Sequence, residues 1–221
     1  MKRRKVSNML GLAVLAALCE QSMHPYEIAT VLRRRGKEGD LKIKWGSFYT
    51  VVGNLEKHGF IEAVENVRNG ARPERTVYRI TEAGQAELED WIAELLGTPD
   101  PEPTRFHTGL SVMLAIGPDL VDQRLRSRVD ELERMIDDRV AALEKMRAEL
   151  SRLFLVESEY QLAMWRAEAE WIRGLRAELA SGAISGVEEW RRYRETGELP
   201  DMTAFVKNAD EMTAFVKNEG E

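Results

Sequence analysis

Residues 24–35 read HPYEIATVLRRR, residues 42–67 read KIKWGSFYTVVGNLEKHGFIEAVENV, and residues 68–84 read RNGARPERTVYRITEAG. Pro25 suits the first turn of a helix, where its missing N–H costs no hydrogen bond. That helix carries Tyr26, Ile28, Ala29, Val31 and Leu32 and stops near Gly36. A second helix starts near Ser47, places Phe48, Val51, Val52 and Leu55 three to four residues apart on one face, and ends at Gly59. Residues 61–66 and 76–80 are rich in β-branched types and bracket Asn69-Gly70, a strong turn signal. Helix, helix, two-stranded hairpin and a further helix is the element order of a winged helix-turn-helix.

Working outward, residues 7–20 form an apolar helix with Leu10, Val14, Leu15 and Leu18 at helical spacing. Cys19, the one cysteine, reads as a small core residue of that helix and has no partner for an internal disulfide. Thr81 caps a helix over 82–96 that Gly97 and Pro99 terminate. Pro99, Pro101 and Pro103 then mark a stiff linker. These signals divide the chain into a winged-helix domain over 1–97, a linker over 98–103, a helical domain over 104–197 and a tail over 198–221. The helical domain is predicted as helices over 104–116, 118–153, 157–181 and 187–196. In the second of these, Leu125, Leu132, Ile136, Leu143 and Leu150 belong to a stripe about 30 residues long, or roughly 45 Å of helix. Such a stripe needs a partner helix. The reading is that one comes from the same chain, where Leu175 lies, and another from a second copy. Those six leucine and isoleucine positions are the candidate dimer interface. In the tail, residues 202–208 and 212–218 both read MTAFVKN; two copies are too few for a repeat architecture.

The net charge of −6 hides an asymmetry. Residues 1–81 sum to +7 and residues 82–221 to −13. A basic module joined to an acidic one points to a polyanionic partner for the first. In a helix-turn-helix the start of the second helix enters the DNA major groove while neighbouring groups grip phosphate. Lys42 and Lys44 bring charge to that helix start, Ser47, Tyr49 and Thr50 bring hydroxyls, and Asn54 has the amide that pairs with adenine. Phe48 reads as core. Gly53 admits two explanations, close approach of DNA or close approach of the first helix. Arg68, Arg72 and Arg75 load the hairpin for a phosphate row or a minor groove, and residues 2–5 (KRRK) read as a basic arm. Trp91, Trp165 and Trp171 are candidate walls of an effector pocket for a flat hydrophobic molecule, with plain packing the competing reading.

Nothing in the spacing of His24, His58, His107 and Cys19 matches a metal or nucleophile constellation, and no phosphate-binding glycine loop is present. An enzyme and a cofactor are therefore not expected. The apolar run 6–19 is too short for a bilayer, which takes about 20 residues, so a cytoplasmic protein is expected.

These residues resemble the PadR family of bacterial transcriptional regulators. The resemblance rests on His24-Pro25-Tyr26-Glu27, on Tyr49, Val52, Leu55 and Gly59, and on Arg72-Pro73, Tyr78, Thr81 and Gly84. It covers residues 9–96. Pro25 stands where Gly is usual, Thr50 where Pro is common and Asn54 where a basic residue is common. Residues 104–195 look like the helical region of the longer PadR and AphA-like members, through Phe106, the long helix and 168–171 (EAEW). The resemblance implies a mainly α fold with a small β-hairpin wing and a C-terminal, coiled-coil-like dimerisation domain. It implies a homodimeric repressor on a double-stranded, pseudo-palindromic operator, released by a small aromatic or hydrophobic effector. The rival readings are a winged-helix adaptor for proteins and an activator of the same fold.

Overall fold

The structure, a computed structural model, describes residues 4–34, 45–67, 75–99 and 103–197. It divides into two compact units, Met1–Glu102 and Pro103–Glu221. In the first, α1 (Met9–Leu18) is capped by Asn8, whose side-chain oxygen accepts from the Leu10 N–H at 2.9 Å. Its sequence MLGLAVLAAL has no polar stripe, so no face is suited to water. Leu10, Gly11, Ala13, Val14, Leu15, Ala17 and Leu18 are all buried, and α1 becomes the post of the core. Around it pack α2 (Pro25–Arg34), α3 (Phe48–Lys57) and α4 (Glu82–Gly97). Phe48, Val51, Val52 and Leu55 face inward, as their spacing predicts. Two details differ. Tyr26, counted in the apolar run of α2, is 66% exposed. Cys19 is exposed, because it follows the last residue of α1 as its cap and lies off the buried face.

A short 3-10 turn, Trp45–Ser47, leads into α3. Gly59 ends it with φ +73°, a left-handed conformation that costs glycine little. The Gly59 N–H donates to the Glu56 carbonyl and the Phe60 N–H to the Leu55 carbonyl, each at 2.9 Å. That pair of bonds is a Schellman closure. The chain leaves it into β1 (Ile61–Val67), antiparallel to β2 (Arg75–Ile80), with Ile61 opposite Ile80 and a register shift between Ala63 and Glu65. Met23 joins the pair through two backbone hydrogen bonds of 3.0 Å with Tyr78. Thr81 caps α4 by accepting from the Gly84 N–H at 3.0 Å and donates its hydroxyl proton to the Gly59 carbonyl at 2.6 Å. Gly84 has to be glycine here: a Cβ would lie 1.9 Å from the Phe60 carbonyl oxygen.

The second unit contains α5 (Arg105–Ser111), a 3-10 turn Met113–Ala115, α6 (Pro118–Arg147), a 3-10 turn Arg152–Phe154, α7 (Val156–Ser181) and α8 (Val187–Thr196). The single helix expected over 104–116 is broken at Val112, whose φ −119° and ψ 10° leave helical geometry. The helix expected over 118–153 ends at Arg147. The chain reverses there to lay α7 back along α6, and Leu155, fully buried, fills the turn. Leu150 and Leu153 therefore leave the stripe and are 42% and 74% exposed.

The partner helix that the stripe demanded is α7 of the same chain. Val121, Leu125, Val129 and Leu132 pack with Ala169, Ile172 and Trp190, and Leu143 packs with Leu155 and Leu162. Leu125, Leu132 and Leu143 are thus covered within one copy, while Ile136 and Leu175 are half-buried beside them. Arg176 clamps Asp122 with two hydrogen bonds of 2.7 and 3.2 Å, and Arg128 pairs with Glu168 at 2.6 Å, fixing the antiparallel register. Among the described residues no helix is long and apolar enough to cross a membrane.

Candidate nucleic-acid interface

Because the inner face of α3 is committed to the core, its outer face follows by helical geometry. Tyr49, Thr50, Gly53, Asn54 and Lys57 are all exposed, Tyr49 at 68%. Of the predicted base-reading residues, Tyr49, Thr50 and Asn54 share this face, while Ser47 sits half-buried at the helix start. Arg75 opens β2 opposite Val67. Lys42, Lys44, Arg68 and Arg72 lie outside the described residues. Lys57 was not singled out from the sequence, although its place three residues after Asn54 and four after Gly53 marks it as part of the same surface.

The structure removes one of the two explanations of Gly53, close approach of the first helix. A Cβ built on Gly53 meets no heavy atom within 4 Å, and the same holds for Gly46 before the helix. Helix α1 does not require either glycine. Both leave bare backbone on the outward side, where an external partner can approach closely.

The wing is tied to α3 through Tyr78. Its ring is half-buried against the core, and its hydroxyl donates to Glu56 Oε2 at 3.1 Å. Burial first, then the Glu56 carboxylate, pushes the phenol above its ordinary value of 10, so it stays a proton donor. Glu56 lies on α3 between Gly53 and Lys57, and the bond thus couples hairpin orientation to the outward face.

Arg4, predicted within a free basic arm, is instead docked on α4. Its side chain is 3% exposed and pairs with Glu87 at 2.8 Å, with Asp90 at 3.0 Å and with Glu94. Its guanidinium carbon stands 5.2 Å from the centre of the Trp91 ring. Burial opposes the Arg4 charge, but its hydrogen bonds to the three acids outweigh this and raise its pKa above the ordinary value. The acids recur at helical spacing around Trp91, a signal present in the sequence. This consumes one of the four basic residues of 2–5 inside the fold.

The three tryptophans considered for an effector pocket are placed as follows. Trp91 is buried in the first unit at 2% exposure. In the second, Trp165 is half-buried with Arg139 5.4 Å from its ring centre, and Trp171 is 51% exposed with Phe106 edge-on at 6.1 Å. Among the described residues no cluster of His, Cys, Asp and Glu is arranged to hold a metal.

Residues 14–90 match the model of the transcriptional regulator PadR-like family. Over these residues, about a third of its length, the chain is similar to that family. It is a family of transcriptional regulators, not of enzymes. A probable transcriptional regulator of Mycobacterium tuberculosis is 32% identical over 93 residues, 40% of this chain and 46% of that relative. The match thus spans about half the relative's length. Bacillus subtilis PadR in complex with operator DNA superposes with a TM-score of 0.59 at 19% identity, covering 76% of this chain and 98% of that one. The same protein with p-coumaric acid gives 0.61 at 18% identity, over 76% and 96%. The Vibrio cholerae virulence activator AphA gives 0.57 at 19% identity, over 78% and 98%. At these identities the likeness is one of fold: a PadR-type winged helix followed by a helical region.

Proposed function

We propose that this PadR-like chain is a sequence-specific DNA-binding regulator that reads its operator through the outward face of α3. The observation that carries the reading is the division of α3 itself. One face builds the core, while Tyr49, Thr50, Asn54 and Lys57 stand in solvent around a glycine that packing does not require. The operator complex of the B. subtilis structure supports the same reading. Lys42, Lys44, Arg68, Arg72 and Arg75 supply phosphate contacts around that face in this proposal.

The finer parts of the proposal are a homodimer, repression and release by a small aromatic or hydrophobic effector. Large apolar side chains left uncovered in the second unit, Leu153, Phe154 and Trp171 among them, support a second copy. A dimer places two α3 helices about 34 Å apart on a pseudo-palindromic site. The p-coumaric acid complex of B. subtilis PadR supports an effector, with Trp165 and Trp171 as the aromatic surface of this chain.

Fluorescence anisotropy against DNA from upstream of the coding region and a scrambled duplex, across a salt series, tests the core of this proposal. Tighter, salt-steep binding to the upstream duplex is expected. Asn54→Ala should relax preference at one base pair by about 1–3 kcal/mol, and Arg72→Ala should weaken all duplexes alike and flatten the salt slope. Equal losses on both duplexes for Asn54→Ala would remove α3 as the reading element. Tryptophan emission titrated with aromatic carboxylates tests the effector.

A further inference from the structure

The second unit has an apolar groove of about 490 Å³ between α5, the 3-10 turn after it and the start of α6. Phe106, Leu110, Met113 and Ile116 line its floor, and Arg105, Arg124 and Arg128 stand around it. Nearby Val112 and Leu114 are 61% and 54% exposed. Arg128 is already engaged, by Glu168 at 2.6 Å and by the Phe106 ring at 4.2 Å. Arg105 and Arg124 have no carboxylate partner among the described residues. An apolar floor with two cations beside it suits an apolar segment preceded by an acid.

The tail supplies such a segment twice. Residues 201–208 read DMTAFVKN and residues 211–218 read EMTAFVKN, octads identical except for the first acid. Met202, Phe205 and Val206 stand at i, i+3 and i+4, as do Met212, Phe215 and Val216, so one turn of helix presents all three on one side. Residues 198–221 carry six acids against two lysines, the sign opposite to Arg105 and Arg124.

Position selects this groove over the uncovered apolar residues at the α6–α7 turn. Trp190 of α8 donates its indole N–H to the carbonyls of Ile116 at 2.8 Å and Leu114 at 3.2 Å, and Arg191 pairs with Asp119 at 3.1 Å. Gly197 follows Trp190 by seven residues, about 10 Å of helix. Met202 is five residues further, within about 17 Å of chain. The α6–α7 turn lies at the other end of a helix about 45 Å long.

We propose that the two acidic MTAFVKN octads are alternative intramolecular ligands for this groove, with Met, Phe and Val on its floor and the leading acid on Arg105 and Arg124. The tether sets an effective concentration on the order of millimolar, so an octad that binds at about 1 mM or tighter in trans occupies the groove in cis. Having two copies keeps it filled when one is lost. The proposal concerns the second unit and does not depend on the DNA reading.

Hydrogen exchange on the full chain, without DNA or small ligand, tests it. Phe205→Ser or Phe215→Ser alone should leave amide protection over 110–116 close to that of the parent. The double variant should lose it about fivefold or more, while protection in α6 and α7 stays unchanged. A labelled synthetic peptide of residues 201–208 should bind the double variant with a Kd near or below 1 mM. Added salt, or Arg105→Glu with Arg124→Glu, should weaken that binding. Unchanged protection in the double variant, or a peptide Kd above about 10 mM, overturns the proposal. So does protection that rises with protein concentration, which would assign the groove to a second copy.

Discussion

Gly53→Ala separates the demands of folding from those of the outward surface. Glycine inside a helix costs about 0.8–1.0 kcal/mol relative to alanine, and Gly53 sits in the interior of α3 (Phe48–Lys57). The added methyl meets nothing within 4 Å, so no steric term offsets the gain. Gly84→Ala shows the contrast, because its Cβ would lie 1.9 Å from a backbone carbonyl. Native-state hydrogen exchange of the Val52 and Leu55 amides reads α3 directly. A gain of about 1 kcal/mol slows their exchange about fivefold. On the proposed function the same methyl stands between α3 and the DNA, and operator affinity falls by about 1–3 kcal/mol, the usual cost of inserting a group into a packed contact. The variant is thus more stable and less able to bind. Exchange that does not slow would mean that Gly53 holds a conformation alanine resists. Slower exchange with undiminished operator binding would refute the placement of Gly53 against DNA.

Arg4→Ala leaves Glu87, Asp90 and Glu94 facing one another around Trp91 and should destabilise the first unit by about 1–3 kcal/mol, measured by urea denaturation. Leu143→Ala removes a side chain that is 1% exposed between α6 and the Leu155 turn; a cost of about 2–5 kcal/mol is expected in the same assay. Glu159 accepts from Arg152 at 3.0 Å and from Arg147 at 3.4 Å, and chiefly the Arg152 hydrogen bond holds its carboxyl below the ordinary 4.5. A depressed carboxyl adds stability that is present above the unfolded value and is lost as pH falls through the folded one. NMR titration should therefore place the Glu159 midpoint below 4.5, moving upward in Arg152→Ala, and an unmoved midpoint would show that the hydrogen bond is not its cause.

Sequence alone determined the features that act over one to four residues. The three-four spacing of Phe48, Val51, Val52 and Leu55 defines both faces of α3 before any contact is known. Gly59 closes that helix, its own N–H bonding the Glu56 carbonyl while the Phe60 N–H bonds that of Leu55, and Thr81 opens α4 through the Gly84 N–H three residues on. Hence the winged helix and its outward residues were legible, Tyr49, Thr50 and Asn54 among them. Tertiary structure alone decided the features that join residues far apart in the chain. Arg4 reads as a free cation until α4, more than eighty residues later, brings three acids to it. The stripe on α6 requires a partner helix without specifying whose; the reversal around Leu155 supplies α7, ends α6 at Arg147 and sends Leu150 to the surface. Gly53 could serve packing on α1 until the space beside it is seen to be empty. Local propensity is written in the residues themselves, but which surfaces remain uncovered depends on how distant elements share one core.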